Sequence, residues 1–366
     1  MATGASTADA AVVLIDASKG VLIQSRRHAY IASLLRVRHV IVAVNKMDLI
    51  GYDEAAFQTI ELDFRKLLDQ IAADTGNPVD VAFVPVSALA GDNIVHRSQA
   101  MPWYKGPSLL ELLESLPSSV DTRDAPFRFP VQRVLRPNHT FRGFAGQIGS
   151  GTVRPGDTIT VLPSGRTAEV QRIVTYDGDL TEAYAPLSVT LVLDREIDVS
   201  RGDLIVSAQT PARVARSVQA SLVWMDQRPL MLNRRYLLKH TSQTVPVVVS
   251  ALVHRTDVGT LSREPAQTLH MNDIGTVRLA LLRPIALDPY GENRATGAFI
   301  LIDADTNSTV AAGMITLAVT DEGKDARPGL VDGWGRVTAG ERDARWGHRG
   351  GCLLYTSPLA KTDRGR

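Results

Sequence analysis

The chain has 366 residues, 44% of them hydrophobic and 22% charged, which is enough for two or three domains that each bury a core. Lys+Arg number 40 against 39 Asp+Glu, a balance that argues against wholesale binding to nucleic acid or to a membrane surface. A single cysteine, Cys352, excludes an internal disulfide framework and a cysteine zinc site; with no apolar run of membrane-spanning length and no basic-then-apolar leader, a reducing, cytoplasmic setting is expected.

Residues 1–117 alternate between strand and helix patterns. Residues 10–15 (AAVVLI) are a continuous apolar run, which predicts a strand buried on both faces. A helix is expected over 24–38, with Tyr30, Ile31, Leu34 and Leu35 on one face. Residues 39–44 (HVIVAV) predict a second buried strand. Asp53 is placed to cap a long helix in which Phe57, Ile60, Phe64, Leu67, Leu68 and Ile71 recur at helical spacing, and Gly76 with Pro78 stops it. A third strand is expected at 81–86 (VAFVPV), then a short helix over 108–116 ended by Pro117. Such alternation implies a parallel sheet with helices on both faces.

After a polar linker over 117–126 the pattern changes. Short alternating strands separated by Gly/Pro/Asp turns, such as Arg154-Pro155-Gly156-Asp157, predict one β-barrel over 126–210. A second over 211–318 has strands expected near 247–252, 274–281 and 299–302. The expected fold class is therefore α/β plus all-β: a parallel-sheet domain followed by two barrels. Residues 319–366 are expected to form an irregular tail; Gly, Arg and Asp crowd 323–351, and the ending from Cys352 to Pro358 resembles translated cloning or adapter sequence.

One motif carries chemistry. Asn45-Lys46-Met47-Asp48 follows the buried strand 39–44, at the edge where open parallel sheets bind ligands. A carboxylate there can accept from two adjacent N–H groups at once, as guanine offers on its N1 and N2 edge and adenine does not. The Lys46 stem can lie across a flat base while its ammonium stays wet, and Asn45 can bridge the base edge and neighbouring loops. Ser87-Ala88-Leu89 ends the next strand, where small residues let backbone N–H groups approach a base carbonyl. Either motif alone is weak; both at the ends of consecutive buried strands form a guanine-recognition signature.

These residues resemble translation-factor-type GTPases, P-loop-type proteins in which such motifs read the guanine and two β-barrels follow the GTP-binding domain. Four stretches resemble, within that superfamily, the GTPase subunit of sulfate adenylyltransferase: residues 3–11, Met101-Pro102-Trp103-Tyr104, residues 127–132 with Arg142-Gly143, and residues 292–303. The resemblance covers about residues 3 to 318. It implies bound GTP and magnesium, guanine contacts from Asn45, Lys46, Asp48, Ser87, Ala88 and Leu89, and a smaller ATP-binding catalytic partner, subunit 2. It further implies that GTP hydrolysis helps drive formation of adenylyl sulfate and pyrophosphate from ATP and sulfate. An elongation-factor-like GTPase and a non-catalytic partner-binding fragment stand as the alternatives.

The departure from the family is that no Gly-x-x-x-x-Gly-Lys-Ser/Thr phosphate loop occurs in the sequence. Asp288-Pro289-Tyr290-Gly291 matches the magnesium-holding Asp-x-x-Gly by letters, but lies in the second barrel and reads as a chance match. The expectation is a chain that begins inside its GTP-binding domain, with no catalytic residue and no metal ligand of its own. His139 reads as a turn residue, and Arg133, Arg136 and Arg142 as a solvated barrel face. Arg234, Arg235, Lys239 and His240 read as a further surface patch, and Trp103 and Tyr104 as packing at the domain edge.

Overall fold

A computed structural model of the chain describes residues 8–117, 122–138 and 141–319. By its contacts the chain divides into residues 1–320 and 321–366, and every described residue belongs to the first unit. The expectations for His139, for residues 3–7 and for the tail lie outside the described residues.

Three strands, β1 (Ala10–Asp16), β2 (His39–Asn45) and β3 (Asp80–Pro85), form a parallel sheet in the order β1-β2-β3. Alternation along β2 sends Val40, Val42 and Val44 into one apolar cluster and Ile41 and Ala43 into another. The first cluster is covered by helices α1 (Ile23–Leu34) and α2 (Glu54–Thr75), the second by α3 (Leu109–Ser115). On α2 the six expected apolar residues are all buried, Phe64 and Ile71 completely; burying side chains of that size stabilises by about 1.5–3 kcal/mol each. Asp53 caps α2 by accepting from the Ala55 N–H at 3.0 Å, and Gly76 ends it in the left-handed region. Ser108 and Glu111 form a reciprocal capping box on α3.

Helix α1 ends earlier than its apolar spacing predicts. The Val37 N–H donates to Ala32 O and Arg36 takes φ +52°, so the chain turns directly into β2. No glycine marks this stop, which is why the sequence pattern reads through it.

The remaining strands are β4 (Arg128–Pro130), β5 (Arg133–Asn138), β6 (Phe141–Gln147), β7 (Thr152–Val153), β8 (Thr158–Leu162), β9 (Arg166–Thr175), β10 (Gly178–Leu180), β11 (Ala183–Tyr184), β12 (Ser188–Leu193) and β13 (Leu204–Ser207). They continue as β14 (Arg213–Trp224), β15 (Arg235–His240), β16 (Gln243–Thr256), β17 (Arg263–Glu264), β18 (Ile274–Leu287), β19 (Ala298–Asp303) and β20 (Thr309–Val319), with a single helical turn α4 (Arg294–Gly297) before β19. The first group builds a barrel in the order β4-β13-β8-β9-β12-β6-β5, closed by backbone bonds from Arg128 N to Ser150 O and from Gln132 N to Ala145 O. The second runs β15-β19-β20-β14-β18-β16-β17, and pairing of β15 with β16 closes it. Trp224 and Tyr236, in edge contact at 6.0 Å, are among the largest side chains filling its core.

Candidate functional site

The site grows out of strand register. Asp16 pairs with Asn45 and Val44 with Pro85, so the three parallel strands present Asp16, Asn45 and Ser87 side by side at their carboxyl ends. The chain leaves β2 through Lys46, which takes the left-handed conformation (φ 66°, ψ 34°), and enters one 3-10 turn, Met47–Ile50. A non-glycine residue there costs roughly 1–3 kcal/mol, a strain that clusters at functional sites. Met47 is fully buried and plugs the turn into the core below. Its N–H donates to Val86 O, so Asp48 is folded back toward the end of β3.

Hydrogen bonds fasten the two motifs together. Asn45 Oδ1 accepts from the Lys46 N–H at 2.7 Å and from the Ala88 N–H at 3.0 Å. The buried Ser87 donates its hydroxyl to Asp48 Oδ1 at 2.7 Å and accepts from the Ala90 N–H at 3.3 Å. Asp48 thus has one oxygen held by the protein, and its remaining acceptor positions can serve a ligand with two adjacent N–H donors. The Ala88 N–H, expected from sequence to meet a base carbonyl, is in this structure engaged by Asn45. Leu89 stands 92% exposed beside the cluster and adds only its place in the loop.

Lys46 is anchored by a residue that lies outside both motifs. Its ammonium reaches Asp16 Oδ2 at 2.8 Å while half of the side chain stays exposed, which stretches the stem along the strand ends. The Lys46 ammonium, and after it the Ser18 hydroxyl, pull the Asp16 carboxyl down to about 2. Asp16 closes the buried run 10–15 at the register position of Asn45, but it belongs to no four-letter pattern. Asp92 is likewise invisible to motif reasoning. It exchanges backbone bonds with Ser87 and accepts from Tyr52 Oη at 2.9 Å and Ser98 Oγ at 2.6 Å. This bond to Asp92 raises the Tyr52 phenol above its ordinary range. Gly91 (φ +79°) allows the loop to turn back, and Asn93, fully buried, donates to Pro85 O. Trp103 donates to Tyr52 O and stacks obliquely on Phe57 at 5.4 Å, so the Met101–Tyr104 stretch packs beneath the loop.

A polar cluster of this kind at the carboxyl end of a parallel sheet, with two barrels behind it, has counterparts among known proteins. The Elongation factor Tu GTP binding domain family matches residues 1–121, and the GTP-eEF1A C-terminal domain-like family matches residues 217–316. Sulfate adenylyltransferase subunit 1 from Alteromonas mediterranea is 45% identical over 332 residues, 91% of this chain and 69% of that protein. The chain belongs to the sulfate adenylyltransferase subunit 1 family. The bifunctional enzyme CysN/CysC of Rhodopirellula baltica is 50% identical over 365 residues, 97% of this chain and 56% of that protein. The chain therefore spans between about half and two thirds of the length of these relatives. Among solved structures, sup35 complexed with GMPPNP superposes with a TM-score of 0.51 at 24% identity over 87% of this chain and 80% of that one, a likeness of fold.

In this subunit 1 family member the polar residues of the barrels serve other ends. Arg136 pairs with Glu196 at 3.0 Å, and Arg142 lies 5.6 Å from the Phe144 ring. Arg234 is bound to Asp303 and Asp305, while His240 is buried with Nε2 2.7 Å from Thr296 O, so Arg234, Arg235, Lys239 and His240 do not form one patch. Asp288, the letter-match for a magnesium ligand, is buried in a two-pronged ion pair with Arg128 at 2.7 and 2.9 Å and accepts from Thr296 Oγ1. It has no place in a nucleotide site.

Proposed function

We propose that this chain is the GTP-binding regulatory subunit of a sulfate adenylyltransferase and that Asn45, Lys46, Asp48, Ser87, Ala88 and Leu89 form its guanine pocket. The observation that carries the reading is the half-satisfied Asp48 carboxylate, held on one side by Ser87 and facing outward at the carboxyl edge of a parallel sheet. Asp48 accepts from the base N1 and N2 groups, Lys46 lies along the base face with its ammonium on Asp16, and Asn45 sets the loop that carries Ala88. The partner in this reading is the ATP-binding catalytic subunit, which forms adenylyl sulfate and pyrophosphate while GTP hydrolysis offsets the unfavourable equilibrium. A single cysteine, and no helix among the described residues long and apolar enough to cross a membrane, support a cytoplasmic setting.

Magnesium and the phosphates are a different matter. No phosphate loop stands in the sequence, and the only Asp-x-x-Gly letters in the described barrels have their carboxylate spent on Arg128. The residues present fit the base and not the metal, so none of them is given a hydrolytic role. Relatives at 45–50% identity favour sulfate activation over the elongation-factor alternative, which rests on domain-level family matches and a likeness of fold.

The test is Asp48→Asn with GTP, XTP and ATP in competition. An amide places an NH₂ against guanine's own amino donor, so GTP should weaken by about 2–4 kcal/mol while xanthine, with a carbonyl there, gains in relative preference. ATP should gain nothing. An unchanged GTP-to-XTP ratio would reduce Asp48 to a solvated turn residue.

A further inference from the structure

The second barrel carries a face that the guanine pocket does not use. Its strands β20, β14, β18 and β16 lie side by side, contain no aspartate, glutamate or lysine, and hold five arginines: Arg213, Arg216, Arg255, Arg278 and Arg283. Two of these are neutralised from elsewhere, Arg213 by Glu292 at 3.0 Å and Arg255 by Glu264 at 2.8 Å. Arg216, Arg278 and Arg283 are exposed and make no ion pair among the described residues.

Register places these charges among apolar side chains. Gln219 on β14 lies opposite Leu317 on β20 and opposite Arg278 on β18, so the three stand in one row on one face. Farther along, the β14–β18 register breaks between Ala215 and Ser217. There Arg216 bulges out, across from Leu282 and Arg283, which have left the ladder with β14. Leu282 is 50% and Leu317 53% exposed. The row also borders a cleft of about 570 Å³, lined by Gln219 and Thr316 on one side and Tyr30 and Asn77 of the parallel-sheet domain on the other. The face is therefore cationic and partly aliphatic, and it adjoins that cleft through Gln219 and Thr316.

Three guanidiniums without a counter-charge repel one another, and two half-exposed leucines gain by leaving water. A partner that brings carboxylates and aliphatic groups together relieves both. Arginine in the absence of lysine fits the composition of a protein interface, and the exposed leucines add apolar area to it. A nucleic acid would instead call for stacking aromatics, and the one aromatic residue on these strands, Trp224, is buried. We propose that this face docks an acidic, leucine-accepting surface of the catalytic partner subunit; the assignment of the partner rests on the function proposed above.

The experiment measures binding of the full chain to the catalytic subunit, comparing wild type with Arg278→Glu/Arg283→Glu. The double reversal should weaken binding about 30-fold or more, and the steep salt dependence of the wild type should flatten. The same charge change on another strand of the barrel, Arg235→Glu/Lys239→Glu, should stay within about twofold. If the double variant loses its far-ultraviolet spectrum, Leu317→Gln is read in its place, with a loss of about fivefold expected from putting a polar amide where an apolar contact stood. A wild type that binds while both variants bind equally well overturns the docking assignment. A wild type that ignores the catalytic subunit overturns the regulatory-subunit reading and the docking with it. Variants that keep the subunit but lose a single-stranded RNA would make the face a nucleic-acid site and overturn the proposal.

Discussion

Ser87→Ala probes the proposed guanine pocket through the hydroxyl that holds Asp48. The hydroxyl donates to Asp48 Oδ1 at 2.7 Å from a fully buried position. A hydrogen bond to a charged group contributes about 1.5–3 kcal/mol when nothing replaces it. Asp48 is only partly buried, so water can take the vacated lone pair, and the lower end of that range applies. The second bond lost, from the Ala90 N–H at 3.3 Å, is long and contributes little. About 1.5 kcal/mol corresponds to a roughly tenfold rise in Kd for GTP. The bond is already made in the ligand-free protein and the void left by one oxygen is small, so the folding stability of the domain should fall by about the same 1.5 kcal/mol. Ligand-observed NMR competition with GTP and XTP gives the affinities, and a urea melt gives the stability. ATP, whose base edge does not match Asp48, serves as the reference that should not move. If Ser87→Ala binds GTP within about twofold of wild type while the fold is intact, a carboxylate pre-set by Ser87 plays no part in recognition, and the argument for the pocket fails.

Three further outcomes are expected. Asp16→Asn releases the Lys46 ammonium and should weaken GTP binding severalfold with little effect on folding. The Asp16 carboxyl sits near 2, so the tether should be constant above about pH 4 and be lost only as pH falls from there toward 2, readable in the Lys46 side-chain NMR shift. Arg128→Ala strands the buried Asp288 carboxylate and should cost about 3–5 kcal/mol in chemical denaturation, with Arg128→Ala/Asp288→Ala recovering part of it. Burial holds His240 below the ordinary histidine range, although its bond to Thr296 O works the other way. Its proton is taken up by the unfolded chain first, so its contribution is full above about pH 6.5 and declines as pH falls below it. His240→Gln should flatten denaturation midpoints measured between pH 7 and 5, and an unchanged slope would place the acid sensitivity elsewhere.

The parallel-sheet domain is legible in the sequence because its rules are local. Continuous apolar runs mark β1, β2 and β3, the Phe57-to-Ile71 spacing marks α2, and Asp53 and Gly76 mark its ends. The two motifs of the pocket are legible for a second reason, their places at the ends of consecutive buried strands. What cannot be read is whatever depends on register across distant segments. Asp16 meets Lys46 only because β1 pairs with β2 in one particular frame. The Ala88 N–H reads as a ligand donor because nothing in the letters says that the Asn45 side chain will reach it first. The α1 stop at Arg36 is hidden for want of a glycine, and the arginine face because its members lie on separate strands and come together only in the folded barrel.

The stretch from Asp288 to Gly297, which overlaps the family-like residues 292–303, has a use the motifs do not show. It makes no contact with the proposed guanine pocket among the described residues; it joins the three parts of the chain. Asp288 binds Arg128 of the first barrel, and Asn293 donates to Ser150 Oγ of the same barrel. Tyr290 donates its hydroxyl to Leu35 O, and the Arg36 guanidinium donates to Gly291 O, both at the end of α1 in the parallel-sheet domain. The packing leaves no slack: a Cβ on Gly297 would stand 2.3 Å from the Tyr290 Cα. The bonds of Asp288 and Tyr290 are buried, so removing Arg128 or the Tyr290 hydroxyl would leave a buried acceptor unmet. A segment under that many constraints has a structural role even where it performs no chemistry. The left-handed Arg36, whose position ends α1, is one of those constraints. The same tie that the helix pattern fails to show thus links the parallel-sheet domain, whose strand β2 ends at Asn45, to both barrels.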